Sequence, residues 1–334
     1  MIGYYIHHQG FGHLARAMSI CEQLRYPATA LSSMDIAAPH PFAEVVKLPR
    51  DDHGGHLTEP TAHGALHWAP LHHNGFQERM NTLARWIADV RPAAFVTDVS
   101  VEIAAFVRLL GVPVIVVALP GKRFDAPHAF VHQLADHIIA GWPRELYLPP
   151  WLQPHVGKTS FVGGISRFDG RSSPAPQRSE NVRVLVLAGA DEHFGGATDE
   201  CAAACPGTTW TPIGGTDRRW VADPWPRICA ADVVVTHAGQ SAVADVAAAR
   251  RRAVVIPQSR PYDEQSATAT VLRQRRLATV AIDWPDVRAW PGLIAQALAA
   301  DPEKWSRWQV AGAASRAARA IEATAQDGAV VSAS

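Results

Sequence analysis

Short apolar runs, each long enough for one strand, alternate along this chain with stretches of helical spacing, and that alternation limits what it can fold into. Ile2 to Ile6 comes before a helical pattern that starts at about Leu14. Ala94 to Thr97 comes before Glu102 to Leu110, and Val114 to Ala118 follows. Strands and helices that alternate in this way build parallel sheets covered by helices. The series then restarts at Val182 to Leu187 and continues through Val233 to Thr236, Ala253 to Ile256 and Thr279 to Ile282. A restart predicts a second sheet, and 334 residues exceed what one hydrophobic core usually organises.

The expected fold is therefore α/β, with two Rossmann-like domains whose parallel sheets face each other across a cleft. Residues 1–165 form the first domain and 182–301 the second. Residues 166–181, rich in Ser, Pro and Arg and poor in apolar side chains, read as the linker. Residues 302–324 read as an Ala- and Arg-rich amphipathic helix, with a break expected at Gly312, that packs back on the first domain. The small-residue tail after it is expected to lack structure.

Composition removes several classes of function. The 31 basic residues balance 31 acidic ones, so no global positive field invites nucleic acid. No apolar stretch approaches the roughly 20 residues of a membrane span. The chain opens directly on a strand rather than on a charged and then apolar leader, so a cytoplasmic location is expected. Cys21, Cys201, Cys205 and Cys229 lack CxxC spacing, which argues against both a disulfide framework and a zinc site. Residues 50–76 are the irregular stretch, carrying His53, His56, His63, His67, His72 and His73 with no clean period. These spacings match no metal-ligand scaffold, so no metal is expected, and a substrate-side loop is the better reading.

Three motifs sit where strands end and helices begin. The first, HHQGFGH at residues 7–13, follows the first strand. In an open parallel sheet ligands bind beyond the carboxyl ends of strands, and Gly10 and Gly12 allow close approach there. The motif lacks both the dinucleotide GxGxxG spacing and a phosphate-loop lysine. His13 can act as a general base near neutral pH, or simply open the helix. The second motif, THAGQS at residues 236–241, opens another helix, whose free N–H groups and positive dipole end suit a diphosphate. His237, Gly239, Gln240 and Ser241 are its candidate contacts, with Ser241 open to a second reading as an N-cap. The third, PQSRPYDEQ at residues 257–265, places Glu264 and Gln265 in a first helical turn, where they can meet sugar hydroxyls or complement the dipole.

The block from Ala231 to Ala281 closely resembles the donor-binding half of two-domain nucleotide-sugar glycosyltransferases, those of families 1 and 28, the latter including the peptidoglycan N-acetylglucosaminyltransferases. It combines a His-x-Gly-x-Ser turn, a strand ending in Pro, an acidic-Gln pair and a following Ala269. A helix N-terminus and an imidazole can offset a diphosphate charge and no Asp-x-Asp motif is present, so no metal requirement is expected, and His13 facing the 237–241 turn across the cleft predicts inversion. The resemblance implies a transferase with a UDP-linked, small-molecule donor. His237, Gly239, Gln240 and Ser241 would touch the diphosphate, Glu264 and Gln265 the sugar hydroxyls, and the segment at Trp220 and Val221 the nucleobase. Gly10-Phe-Gly-His13 looks like the turn that carries the families' catalytic His, and Asp98 like the residue that orders it, with an N-cap as the other reading of Asp98. The acceptor is not implied; a lipid-linked one would bring peripheral membrane contact.

The chain departs from the pattern after Leu187, where Ala188-Gly189-Ala190-Asp191 replaces a Gly-Ser pair and leaves Gly189 as the phosphate contact. Two alternatives share the fold. The GFGH turn with Arg16 is also similar to a nucleotide-sugar hydrolase of pseudaminic acid synthesis, and a sugar-nucleotide 2-epimerase is the third reading.

Overall fold

The computed structural model describes residues 1–52, 57–174, 179–189, 194, 198–215 and 221–332. The first unit contains β1 (Ile2–Ile6), α1 (Phe11–Cys21), β2 (Ala28–Ser32), β3 (Glu44–Lys47), α2 (Asn74–Val90), β4 (Ala94–Asp98), α3 (Val101–Leu109), β5 (Val114–Ala118), α4 (Ala126–Leu134), β6 (His137–Ala140) and β7 (Thr159–Phe161). Its seven strands pair in parallel in the order β3-β2-β1-β4-β5-β6-β7. β1, β2, β4 and β5 are buried along their whole length, as helices on both faces of a parallel sheet require.

The second unit contains β8 (Val182–Leu187), α5 (Thr198–Ala204), β9 (Thr208–Ile213), α6 (Trp225–Ala230), β10 (Val233–Thr236), α7 (Gln240–Ala249), β11 (Arg252–Val255), α8 (Glu264–Gln274), β12 (Thr279–Val280) and α9 (Trp290–Leu298). Its five parallel strands run in the order β12-β11-β10-β8-β9. α10 (Ala313–Ser332) closes the described chain.

Three apolar layers hold this arrangement. One lies between α1, α10 and the first sheet, where Ala313, Ala317, Ala318 and Ile321 pack with Ala17, Ile20, Val96 and Ile115. Alanines on the facing surface of α10 let the helix lie close to the strands. A second layer fills the outer face of the second sheet with Phe194, Trp290 and Ile294. The third runs from the first sheet through Trp142 and Leu152 to Val243, Trp305 and Trp308, and so joins the two units.

The structure changes several expected boundaries. Helix α1 begins at Phe11, so Gly12 and His13 lie inside its first turn rather than ahead of it. Similarly, α7 begins at Gln240, which puts Ser241 inside the helix. Strand β12 stops at Val280, and Ile282 is 72% exposed. The C-terminal helix expected over 302–324 with a break at Gly312 is a tight 3-10 segment, Pro302–Trp308, followed by α10, and α10 runs on through the expected tail to Ser332. The break lies where Gln309 and Gly312 adopt left-handed backbone.

Candidate active site

Both sheets have a point where the strand order reverses, and there the loops at the strand ends part to leave a crevice. In the first sheet it falls between β1 and β4, whose register sets Ile6 opposite Asp98. The chain leaves β1 and turns through Gly10, the N-cap residue of α1, and so brings His13 back over the end of β4. His13 Nδ1 lies 2.9 Å from Asp98 Oδ1. Asp98 is fully buried and caps no helix, because Ser100 caps α3 by accepting from the Ile103 amide. Burial alone would raise the Asp98 carboxyl, but the Arg16 guanidinium and His13 beside it hold it well below the usual carboxylate range. An ionised Asp98 selects the tautomer with the proton on Nδ1 and leaves Nε2 as the lone-pair nitrogen.

In the second sheet the reversal falls between β8 and β10, and His237 follows β10. Its Nδ1 accepts from the Gly239 amide at 3.0 Å, which fixes the ring across the start of α7. A Cβ on Gly189, whose φ is +65°, would lie 2.9 Å from His237 Nε2, so the end of β8 and this imidazole are in contact. Gly239 is the N-cap of α7 and no side chain caps that helix. Its first turn therefore keeps backbone N–H groups for a ligand. The first turns of α1 and α7 face each other directly, with Ser241 Oγ donating to the Gly12 carbonyl at 3.4 Å.

Gln265 is 4% exposed and its Oε1 accepts from the amides of both Ala238 and Gln258, each at 3.0 Å. It staples the His237 turn to the end of β11, which leaves Glu264 the freer of the pair. Glu264 has Arg123 Nη2 at 3.6 Å, from the first domain. Beside it Tyr262 and Asp263 both take left-handed backbone, φ 60° and 54°, an uncommon conformation for non-glycine residues. The Lys122 amide donates to the Tyr262 carbonyl at 2.7 Å, and a Cβ on Gly121 would come 2.2 Å from that same oxygen. Glycine at 121, with φ +106°, is what allows this contact between the domains.

Between these surfaces is a cavity of about 1110 Å³, lined by Gly10, Gly12, His13, Arg16, His237, Gly239, Gln240, Ser241, Glu264 and Gln265 among others. Asp98 lies behind His13 and Arg16 rather than on the wall, Gly189 lies behind His237, and Val221 packs against the shared apolar layer. Trp220 lies outside the described residues, as do Ala190 and Asp191.

The cavity also gathers residues that sequence reading did not single out, namely Asp51, Asp52, Arg79, Glu102, Arg123 and His128. They come from separate loops and helix starts, with no spacing to connect them. Among the described residues two clusters bring three metal-ligating groups together. In the His8, Asp51 and Asp52 cluster both carboxylates are held by guanidinium groups, Asp51 by Arg79 at 2.8 Å and Asp52 by Arg50 at 2.5 Å. In the other, Asp125 takes His67 Nε2 at 2.9 Å and His128 Nδ1 at 2.6 Å, while Arg123 Nη1 sits 2.8 Å from His128 Nε2. A guanidinium can only donate, so the His128 proton is on Nδ1 and is already shared with Asp125. In both clusters the carboxylates thus already have cationic or imidazole partners. Of the other histidines in the irregular segment, His63 is 92% exposed and His73 caps α2, while His53 and His56 lie outside the described residues.

Residues 225–322 match the glycosyltransferase family 28 C-terminal domain. The whole chain is similar in structure to MurG of Acinetobacter baumannii (14% identity, 96% of this chain and 99% of that one, TM-score 0.65). It is likewise similar to CalG4, the calicheamicin glycosyltransferase (16%, 97% and 98%, TM-score 0.67), and to a UDP-glucosyltransferase from Polygonum tinctorium (14%, 98% and 98%, TM-score 0.67). Comparison with curated protein sequences gives no match. The fold is that of the two-domain GT-B glycosyltransferases, and residues 225–322 carry the family 28 C-terminal domain within it. The matched residues run from the start of α6 into α10.

Proposed function

We propose that this chain transfers a sugar, with inversion at the anomeric carbon, from a UDP-linked donor to an acceptor hydroxyl, with His13 as general base. The observation that carries this reading is the facing of two first turns, α1 bearing His13 and α7 with its uncapped N-terminus. A diphosphate seated on α7, beside His237 and Ser241, has its negative charge offset by the helix end, and the developing charge of the leaving group is stabilised in the same place. An acceptor hydroxyl entering from the first domain meets His13 Nε2, which takes its proton as the oxygen attacks. Attack from the side opposite the leaving group inverts the configuration.

Glu264 is the proposed partner of the sugar hydroxyls. Gly10, Gly12, Gly239 and Gln240 shape the donor wall, and Asp98 holds the imidazole tautomer. Val221 and Trp220 belong to the reading as the nucleobase side. A cytoplasmic location and independence from metal are part of it as well. Among the described residues no helix is long and apolar enough to cross a membrane.

Incubation with UDP-hexoses and a panel of hydroxylated acceptors, with product configuration read by NMR, tests the proposal. Inverted glycoside formation that falls roughly 100-fold or more in His13→Ala supports it. Retained configuration, or sugar released at full rate with no acceptor present, overturns it, the latter in favour of a hydrolase.

A further inference from the structure

Glu264 opens α8, and the residue before it, Asp263, supplies no side-chain cap. The free amides of that first turn would draw the Glu264 carboxylate back onto its own helix. A flexible carboxylate meets sugar hydroxyls only if something holds it out over the cavity, and the first domain does so. A Cβ on Gly121 would lie 3.1 Å from both the amide nitrogen and the Cα of Glu264, so the start of α8 rests on the loop after β5. Arg123, in the same loop, sets Nη2 at 3.6 Å from Glu264 Oε2.

Arg123 does not owe its place to Glu264. Only 4% of it is exposed, and most of its donors are used within its own domain. Nε donates to the Leu119 carbonyl at 2.9 Å and the Pro120 carbonyl at 3.2 Å, and Nη1 lies 2.8 Å from His128 Nε2. Asp125 fixes His128 in turn through Nδ1, and the guanidinium carbon stands 5.0 Å from the centre of the Tyr262 ring. Carbonyls, a neutral imidazole and a phenol carry no charge to match the cation. Burial lowers the guanidinium pKa, and of the charges around it Glu264 does most to keep it ionised. A buried cation fixed in this way, with one carboxylate as its main counter-charge, decides where that carboxylate sits.

We infer that Arg123 is a positioning residue for donor recognition: through it the first domain sets the Glu264 carboxylate where it meets the sugar, so both domains together read the sugar. The inference rests on the reading of Glu264 as the sugar contact. An arginine that served only to join the domains would affect every ligand of the cleft alike, or none. Among the described residues the hydrogen bonds and ion pair of Arg123 run to Leu119, Pro120, His128 and Glu264, and not to the α7 turn proposed for the diphosphate. Bare UDP should therefore not sense it.

The test is competition calorimetry with UDP and with UDP-glucose, UDP-galactose and UDP-N-acetylglucosamine, using the sugar nucleotide that the wild type binds best. Arg123→Lys keeps a cation in the loop, but an ammonium without the planar fork cannot serve the two carbonyls, His128 and Glu264 at once. The sugar nucleotide should bind roughly fivefold more weakly and UDP as before, and in a Glu264→Gln background the same substitution should have no further effect. Unchanged sugar-nucleotide affinity in Arg123→Lys, equal losses for sugar nucleotide and UDP, or the same loss in both backgrounds overturns the inference. If Arg123→Lys does not fold, Arg123→Met, which keeps an apolar stem and removes the buried charge, is judged by the same outcomes. Glu264→Gln by itself separates this inference from the reading beneath it. A loss in Glu264→Gln with none in Arg123→Lys removes only the positioning role. A loss in Arg123→Lys with none in Glu264→Gln removes Glu264 as the sugar contact, and the positioning role with it.

Discussion

His13 Nδ1 and Asp98 Oδ1 lie 2.9 Å apart although 85 positions separate them in the chain. The register of β1 against β4 brings them together, because pairing Ile6 with Asp98 leaves α1 to start directly above the carboxylate. The pair is also the buried end of an ion pair, since Arg16 spans both Asp98 oxygens.

The two members should therefore differ when mutated. His13→Ala removes a partly exposed ring and should lower kcat by roughly 100-fold or more, with nucleotide affinity near that of the wild type. Asp98→Asn should lower kcat less and also cost stability, on the order of 3 kcal/mol, because Arg16 is left as a buried and uncompensated charge. Denaturant unfolding beside single-turnover kinetics checks both. Equal stability of the two variants would mean that the Arg16–Asp98 pair is dispensable.

Steric crowding at the α7 turn gives a second expectation. A Cβ on Gly239 would lie 2.6 Å from His237 Cε1 and 2.7 Å from its Nδ1. The backbone there has φ −66°, which any residue adopts, so only the ring stands in the way. Gly239→Ala should swing the imidazole off its bond to the 239 amide and weaken UDP binding by roughly tenfold, with a change in Tm of no more than a few degrees. Calorimetry with UDP reads the effect, and unchanged affinity would take His237 out of the site. The same titration in a chelator should give the wild-type value, since Asp51, Asp52 and Asp125 already have partners.

Gln265 and Glu264 are adjacent but should separate cleanly. Gln265→Ala removes the acceptor that the Ala238 and Gln258 amides share, at about 1–3 kcal/mol for the buried Ala238 amide. It should lower Tm and weaken UDP and UDP-sugar binding alike. Glu264→Gln keeps the shape and loses the charge, and should weaken the UDP-sugar by several-fold while UDP binds as before. Competition binding with the two ligands distinguishes these outcomes, and parallel losses in Glu264→Gln would remove it as the sugar contact.

What the sequence discloses follows from how local each signal is. β1, β4, β5, β10 and β11 lie in their sheets with near-continuous burial and β8 with a buried centre, and their apolar runs are visible without any partner. β2 carries weak strand formers in Ala28-Thr-Ala-Leu-Ser32, β7 has three residues, and β9 is an edge strand with alternating exposure. These become strands through their neighbours, so no local period announced them. The site divides in the same way. His13, Asp98, His237 and Gly239 stand at strand ends, where position alone suggests a role. Arg16 gains its place from Gln240, far away in sequence, and Arg123 from Tyr262, Asp125 and Glu264. The GFGH turn draws attention to Arg16 without showing what it touches, and nothing in its own surroundings marks Arg123. The internal duties of Gln265 were equally hidden, because its two amide donors come from separate loops.

The last prediction concerns acid. Burial pushes His7 down to about 3, His128 to about 4 and His132 to about 3, against an ordinary value of 6.5. In the unfolded chain these rings bind protons below about pH 6.5, whereas in the folded protein they stay neutral. The stability they contribute is thus present above 6.5 and is lost as the pH falls toward 4. His137 and His155, also lowered by burial, add in the same direction. Asp245 opposes them. Burial raises its carboxyl to about 6, although Ser166 Oγ donates to it at 2.7 Å and Arg167 stands 3.4 Å away. Between about pH 6 and the ordinary 3.8 the folded protein therefore holds one proton that the unfolded chain lacks, which is stabilising as the pH falls. Near pH 5 three imidazoles outweigh one carboxyl, so the unfolded state binds at least about two protons more than the folded one. Tm should accordingly fall steadily from pH 7 to pH 5. Asp245→Asn removes the opposing group, and its Tm should fall more steeply over the same range. Scanning calorimetry at pH 7, 6 and 5 on both proteins measures the two slopes, and a flat wild-type profile, or a shallower one in Asp245→Asn, would show that these side chains titrate as they do in water.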